Sequence, residues 1–493
     1  MKAIFITFVL IIFLTACQPL PVNPTITPNS IATPTTVNPK STITNQYSPF
    51  PTRPSYNPGE LVDYIAQTGD TLPALASHFN TTTTEIMKAN PTIPASVTTL
   101  PPGFPMKIPI YYAPFWGTSY QILPDSLFIN GPAQVGFDTQ ESISKYPGWL
   151  KAASDYVGGY AQSGAQIIDT VALNFSISPR LLLAILEFKS GALSQTTLAP
   201  DKETYPLGYA DREHKGLYLQ LVWAANTLNN GYYGWRKGKL STMELLNGRI
   251  ERPDPWQNAG TVGLQYLFSK LLDPEVYAQA ISSEGITKVY QTLFGDPWQG
   301  GQPHIPGSLS QPNLNLPFEP KRIWAFTGGP HTAWGEGEPL AALDFAPPAV
   351  VGGCAPTEQW ATAVASGVIT RSEPAIVVLD LDGDGDERTG WVIFYLHLAT
   401  EGRAQVGLKL KAGDPIGHPS CEGGRSTGTH VHIARKYNGE WIPADGPLAF
   451  NMEGWIAKNG DQPYQGTLTR FSRTVIACLC ADQKSQLQSE ITP

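Results

Sequence analysis

Five residues in the last third of this chain have side chains that together suit metal-dependent chemistry: His331, Asp344, His397, His430 and His432. His430 and His432 lie in "STGTHVHI", residues 426–433. Two residues apart in a β-strand, they project to the same face. Two imidazoles on one face either share a metal, or one binds while the other moves protons. His397 lies inside the apolar run "YLHL", residues 395–398, where a buried ring needs partners for its nitrogens. His331 and Asp344 fall within "PHTAWGEGEPLAALDF", residues 330–345, thirteen positions apart. That spacing matches no single helical turn, and a glycine-rich stretch separates the two, so the rest of the chain has to supply the remaining ligands. Any one of these histidines alone reads as a hydrogen-bonded core residue; the set points to a site.

The elements that must position this set lie in residues 313–458. "AVASGVITRSE", "AIVVLDLD", "GWVIFYLHLAT", "VGLKLKAGDPIGH" and "THVHIARKYNGEWI" read as strands between glycine-rich turns. They predict a mainly antiparallel β domain. "DLDGDGDE" places Asp380, Asp382 and Asp384 at the first, third and fifth positions of an EF-hand-like Ca²⁺ loop, with Gly385 at the sixth. Trp391 stands where the twelfth position needs glutamate, so a solvated hairpin turn is the preferred reading over calcium.

"AVASGVI", "LKAGDPIGH" and "STGTHVHI" resemble the strands and turns of the lysostaphin-type zinc endopeptidases. The common His-x-x-x-Asp ligand pair of that family is absent, because Leu340 stands four residues before Asp344. "GGPH" and "ALDF" instead resemble the Gly-Gly-x-His and Ser/Ala-Leu-Asp-Phe ends of the β-lytic branch. The resemblance implies His331, Asp344 and His432 as ligands of one Zn²⁺. It implies His397 and His430 as acid–base and oxyanion-stabilising groups beside the ion, and peptidoglycan peptides as substrate. Two imidazoles and a carboxylate with an open fourth position suit a catalytic zinc. The competing reading is a non-enzymatic wall-binding or hydrolase-activating protein on a peptidase scaffold, which the retention of all five residues disfavours.

The rest of the chain sets the context. With 493 residues it has room for roughly two to four domains. A formal net charge of -8 and the lack of a basic stripe argue against a nucleic-acid partner. Met1–Lys2 and the apolar "AIFITFVLIIFL" read as a signal peptide, and "LTAC", residues 14–17, resembles a bacterial lipobox. Lipidated Cys17 would tether the protein to the cell membrane, facing the wall. Residues 18–60, rich in Pro, Thr, Ser and Asn, read as an extended linker. Four further cysteines in an exported chain point to disulfides. Of three possible connectivities, Cys354 with Cys421, leaving Cys478 and Cys480 as a close pair, is preferred.

Residues 61–110 alternate as strand, two short helices and strand. Tyr64, Gly69-Asp70-Thr71-Leu72, Ala76, Phe79, Ile86, Asn90, Gly103 and Ile108-Pro109 resemble a LysM module, which implies binding of peptidoglycan glycan strands. Pro73 and the long stretch Pro91–Pro101 depart from that pattern. Residues 117–300 read as mainly helical, with "SPRLLLAILEFKSGAL" opening on a Ser178 cap and "GYYGWRKG" separating two later helices. This region resembles the lysozyme-like fold of lytic transglycosylases. Their catalytic Glu-Ser pair is replaced by Lys189-Ser190, and Glu187 lies about 200° around the helix, so the domain is expected to be non-catalytic. Residues 459–493 are expected to be a C-terminal tail.

Overall fold

A computed structural model describes residues 53–349, 351–480 and 482–490. The expected signal peptide, the expected lipidation site Cys17 and nearly all of the expected linker lie outside the described residues. Among those described, no helix is long and apolar enough to cross a membrane.

The LysM-like region folds as expected into β1 (Glu60–Ile65), α1 (Leu72–His78), α2 (Thr83–Ala89) and β2 (Pro105–Ile110), with β1 and β2 antiparallel. Thr71 caps α1 through the Ala74 N–H, and Thr82 forms a reciprocal capping box with Glu85. Asp70 is buried and accepts from the Tyr64 hydroxyl and the Gln67 N–H, both at 2.7 Å.

The middle region is helical, built on α3 (Gly164–Phe175), α4 (Pro179–Ser190), α5 (Leu217–Arg236), α6 (Ala259–Ser269) and α7 (Ile286–Phe294). Ser178 caps α4 as expected, accepting from Leu181 N at 3.2 Å. One boundary differs. "GYYGWRKG" is no connector: α5 continues through it to Arg236. Contact with α6 outweighs the low helix propensity of glycine, since Gly231 lies directly against Gly263 and Tyr266.

The C-terminal domain is built from β3 (Ile323–Thr332), β4 (Leu340–Ala346), β5 (Gly367–Glu373), β6 (Ala375–Asp380), β7 (Trp391–Leu398), β8 (Lys409–Leu410), β9 (Val431–Tyr437) and β10 (Glu440–Trp441). A four-stranded sheet follows, of β11 (Asn451–Met452), β12 (Trp455–Asn459), β13 (Gly466–Arg470) and β14 (Arg473–Ile476), and then β15 (Gln486–Gln488). The main sheet runs β8-β5-β6-β7-β9-β4-β3-β15, with β10 paired to β9, and its pairs are antiparallel.

Residues 459–490 are therefore not a tail. They supply two strands of the small sheet and an edge strand of the main one. Their buried apolar residues, Leu468, Val475 and Leu487, stand singly among polar neighbours, so the hydrophobic pattern is too sparse to read. Both expected disulfides, Cys354–Cys421 and Cys478–Cys480, are formed.

Alternation along the strands sorts side chains into two cores. Val431 and Ile433 of β9 face one, with Ile393 and Tyr395 of β7. Ala434 of β9 and Phe394 of β7 face the other, which they share with Ala342, Trp441 and the helical domain. His432, two residues before Ala434, therefore projects from the face on which the helical domain sits. Lys436, next on that face, donates to the Leu173 carbonyl of α3 at 3.1 Å.

Candidate metal centre

Register places the first contacts. His432 on β9 pairs with Asp344 on β4, and His331 on β3 pairs with Ala342, two residues from Asp344 on the same face. The thirteen-residue spacing is thus a β-hairpin whose loop, residues 333–339, carries the glycines. α5 holds that loop: Asn226 Oδ1 accepts from Glu336 N and Asn230 Oδ1 from Glu338 N, both at 2.8 Å. Gly335 and Gly337 have φ of +75° and +84°, and a Cβ on either would lie within 2.4 Å of one of these asparagine oxygens. The loop sequence is set by the helix beneath it.

Three candidate ligand atoms converge. His331 Nε2 lies 3.0 Å from His432 Nδ1, and Asp344 Oδ1 lies 3.2 Å from the first and 3.3 Å from the second. All three residues are buried. The tautomers follow from the opposite ring edges. His331 Nδ1 faces the Gly329 carbonyl at 2.8 Å, and His432 Nε2 faces the Ala333 carbonyl at 3.1 Å. A carbonyl only accepts, so those nitrogens carry the protons. In neutral rings, His331 Nε2 and His432 Nδ1 then present lone pairs to each other and to a carboxylate oxygen. Asp344 Oδ1 is buried and receives no hydrogen bond among the described residues. Three buried acceptors facing one another are unfavourable without a cation between them, which fits a divalent metal. Burial raises the Asp344 carboxyl, and positive charge on the neighbouring His331 and His430 rings would hold it well below the usual range; with those rings neutral, that charge has to come from a bound cation.

The other two histidines flank this centre. His397 Nδ1 faces the Glu422 carbonyl and His430 Nδ1 the Gly428 carbonyl, each at 2.8 Å. Their Nε2 atoms are left as acceptors by the same reasoning. The two rings are 4.5 Å apart, and His430 Nε2 is 3.7 Å from Asp344 Oδ1. His397 is buried, and burial together with His430 and His432 pushes it down to about 4. Its position depends on the backbone: His397 has φ of +64°. In a regular strand it would face away from its neighbour Leu396, which opposes His432. The left-handed residue at the end of β7 re-aims the ring, a strained conformation of the kind retained at functional sites. The Cys354–Cys421 disulfide anchors the residue next to Glu422 and so the loop that orients His397.

All five expected residues are therefore brought together, among the described residues. Tyr464 was missed. It lies in the "tail", with its ring stacked on His331 at 4.1 Å and 20° and half exposed. The only sequence signal was an aromatic in an otherwise polar turn, "NGDQPYQG". At the calcium candidate, the buried Asp380 carboxylate already accepts from the N–H groups of Asp382, Gly383 and Gly385, as a hairpin turn requires.

Several known proteins are similar to this chain. Residues 64–109 match the family described as "LysM domain" and residues 121–308 the family described as "LasA, N-terminal domain". The helical character of the middle region stands, while its lysozyme-like assignment gains nothing from that match. Protease LasA of Pseudomonas aeruginosa is 24% identical over 346 residues, covering 66% of this chain and 75% of the relative. Beta-lytic metalloendopeptidase of Achromobacter lyticus is 29% identical over 191 residues, covering 37% of this chain and 47% of the relative. Among solved structures, the M23 metalloprotease pseudoalterin shares 24% identity over 34% of this chain and 96% of its own, with a TM-score of 0.29. The lysostaphin catalytic domain of Staphylococcus simulans shares 21% over 24% and 87%, with a TM-score of 0.17. These sequence relatives support a lysostaphin-type peptidase similar to LasA and the β-lytic metalloendopeptidase, with a LysM module on its N-terminal side.

Proposed function

We propose that this protein is a zinc endopeptidase that hydrolyses peptide bonds in peptidoglycan. The observation that carries the reading is the convergence of His331 Nε2, His432 Nδ1 and Asp344 Oδ1, with two further imidazoles whose Nε2 atoms are free to take a proton. His331, Asp344 and His432 would hold one Zn²⁺. Such an ion would supply Lewis acidity that brings the pKa of a water down towards about 7 and polarises a carbonyl. His397 Nε2 takes a proton during attack and returns it to the leaving amine, with Nδ1 anchored on Glu422 throughout. His430, more open to solvent, stabilises the developing oxyanion once protonated.

In this reading the LysM module contributes affinity for wall glycan, and lipidated Cys17 tethers the enzyme to the membrane, which raises its local concentration at the wall. The helical domain is non-catalytic. Lys189 stands where a general acid is needed, and Glu187 Oε2 accepts from Leu193 N at 2.8 Å and Ser194 N at 3.1 Å.

The test is release of soluble fragments from purified peptidoglycan by the full chain, with free amino groups and reducing ends measured in parallel. Free amines should rise, stop rising with a chelator, and recover with added zinc. Reducing ends rising without amines would reject a peptidase and favour a glycan-cleaving activity.

A further inference from the structure

The module's two polar loops, Ala66–Thr71 and Asn90–Phe104, are not free. They close on the chain's own segment His304–Leu309. Thr68 Oγ1 accepts from Ile305 N at 2.9 Å and donates to the Ile305 carbonyl at 3.3 Å. Thr99 Oγ1 donates to the Pro306 carbonyl at 2.7 Å and accepts from Leu309 N at 3.0 Å, while the Thr99 carbonyl accepts from Ser308 N at 2.8 Å. Thr98 Oγ1 donates to the Leu309 carbonyl at 2.6 Å. Gly307 passes so close that a Cβ there would lie 2.7 Å from Pro101 Cα. The side chains of the segment turn the other way. Ile305 and Leu309 are buried against Ile442, and His304 Nε2 meets Glu440 Oε2 at 2.6 Å.

The segment is therefore gripped by its main chain on one side and packed into the peptidase domain on the other. The groups that grip it are three threonine hydroxyls and the Thr99 carbonyl, and what they grip is a row of amide N–H and C=O groups. An N-acetylglucosamine chain offers the same pattern: acetamide N–H and C=O, with hydroxyls between. A cavity of about 260 Å³ remains beside the segment, lined by Thr71, Thr98, Thr99, Ile305 and Leu309.

We propose that His304–Leu309 is an internal occupant of the module's glycan-reading face, so that docking of the module and glycan binding by it exclude one another. This rests on the reading of the module as glycan-binding. The module then serves as a clamp across the crossover from helical to peptidase domain until wall glycan competes for the same loops.

The experiment uses the full chain, an N-acetylglucosamine pentamer, titration calorimetry and hydrogen exchange of the peptide spanning residues 300–312. Gly307→Val removes the close approach from the segment side and leaves the loops intact. If the docked state holds roughly 90% of molecules, wild type should bind about tenfold more weakly than Gly307→Val. Saturating pentamer should also speed exchange of the Ile305, Ser308 and Leu309 amides in wild type. Equal affinity, with those amides still protected in the complex, overturns the masking while leaving glycan binding in place. No binding by either protein, although Gly307→Val has lost protection at the segment, rejects the glycan reading and the proposal with it. Should that variant fail to fold, exchange in the wild-type complex alone decides: unchanged protection overturns the proposal.

Discussion

Two places in this chain offer carboxylates in settings where hydrolases keep catalytic groups, and they differ in what the surrounding chain has done with them. On α4, Glu187 is only partly buried, and its Oε2 caps the two backbone N–H groups of Leu193 and Ser194. On β4, Asp344 is buried, and its Oδ1 is left without a donor opposite two imidazole lone pairs. The first carboxylate is satisfied by its own fold and serves structure. The second makes sense only with something bound. A capable residue type is not enough; the neighbours must leave its reactive atom unspent.

The contrast is broken or sharpened by substitution. The largest effect is expected at Asp344→Asn, which removes the negative charge facing the two lone pairs. Zinc content and peptide-bond hydrolysis should fall together to background, read by plasma mass spectrometry beside amine release. His397→Ala and His430→Ala should instead keep the metal and lower turnover by about 10²-fold, as general acid–base groups do. Loss of zinc in these two would make them ligands and redraw the site.

A third effect concerns pH. His397 is pushed down to about 4 by burial and by His430 and His432. Its ring should stay neutral, and able to accept a proton, through the range where a free histidine already titrates. The acid limb of turnover should therefore lie near pH 4, and His397→Gln should abolish that limb. The linkage has a matching sign. As pH falls from about 6.5 towards 4, the unfolded chain takes up a proton at this residue that the folded chain refuses, so stability declines across that window. A limb near pH 6.5 would mean that the ring is not held as the geometry implies. The smallest effect is expected at Glu187→Ala, where the N–H groups of buried Leu193 and exposed Ser194 lose their acceptor. Stability should fall by about 1 kcal/mol, with zinc and turnover unchanged. A loss of turnover there would return the helical domain to catalysis.

Strand alternation made His430 and His432 legible as a pair, and the likeness of "GGPH" and "ALDF" to the β-lytic ends made His331 and Asp344 legible as ligands. That Asp344 on β4 stands opposite His432 on β9 is a matter of register, which the sequence does not show. Glycines marked the hairpin loop, although only α5 explains why Gly335 and Gly337 are needed. His397 was legible as a residue but not as a direction, since a left-handed φ at the end of β7 cannot be inferred from alternation. Tyr464 was hidden because the strands around it bury only isolated apolar residues. "GYYGWRKG" was misread because a local glycine penalty was outweighed by packing between α5 and α6, a long-range contact. The clamp on His304–Leu309 was hidden for the same reason: its hydrogen bonds join residues more than 200 positions apart.

The central claim is that His331, Asp344 and His432 hold one catalytic zinc despite the thirteen-residue gap between the first two. The most direct test is zinc stoichiometry and peptidoglycan hydrolysis measured on the same preparations of wild type and His331→Ala. The account predicts one zinc per chain and chelator-sensitive hydrolysis in wild type, with both lost in the variant. A folded His331→Ala that kept zinc and rate would contradict it, and the first ligand would then have to lie elsewhere.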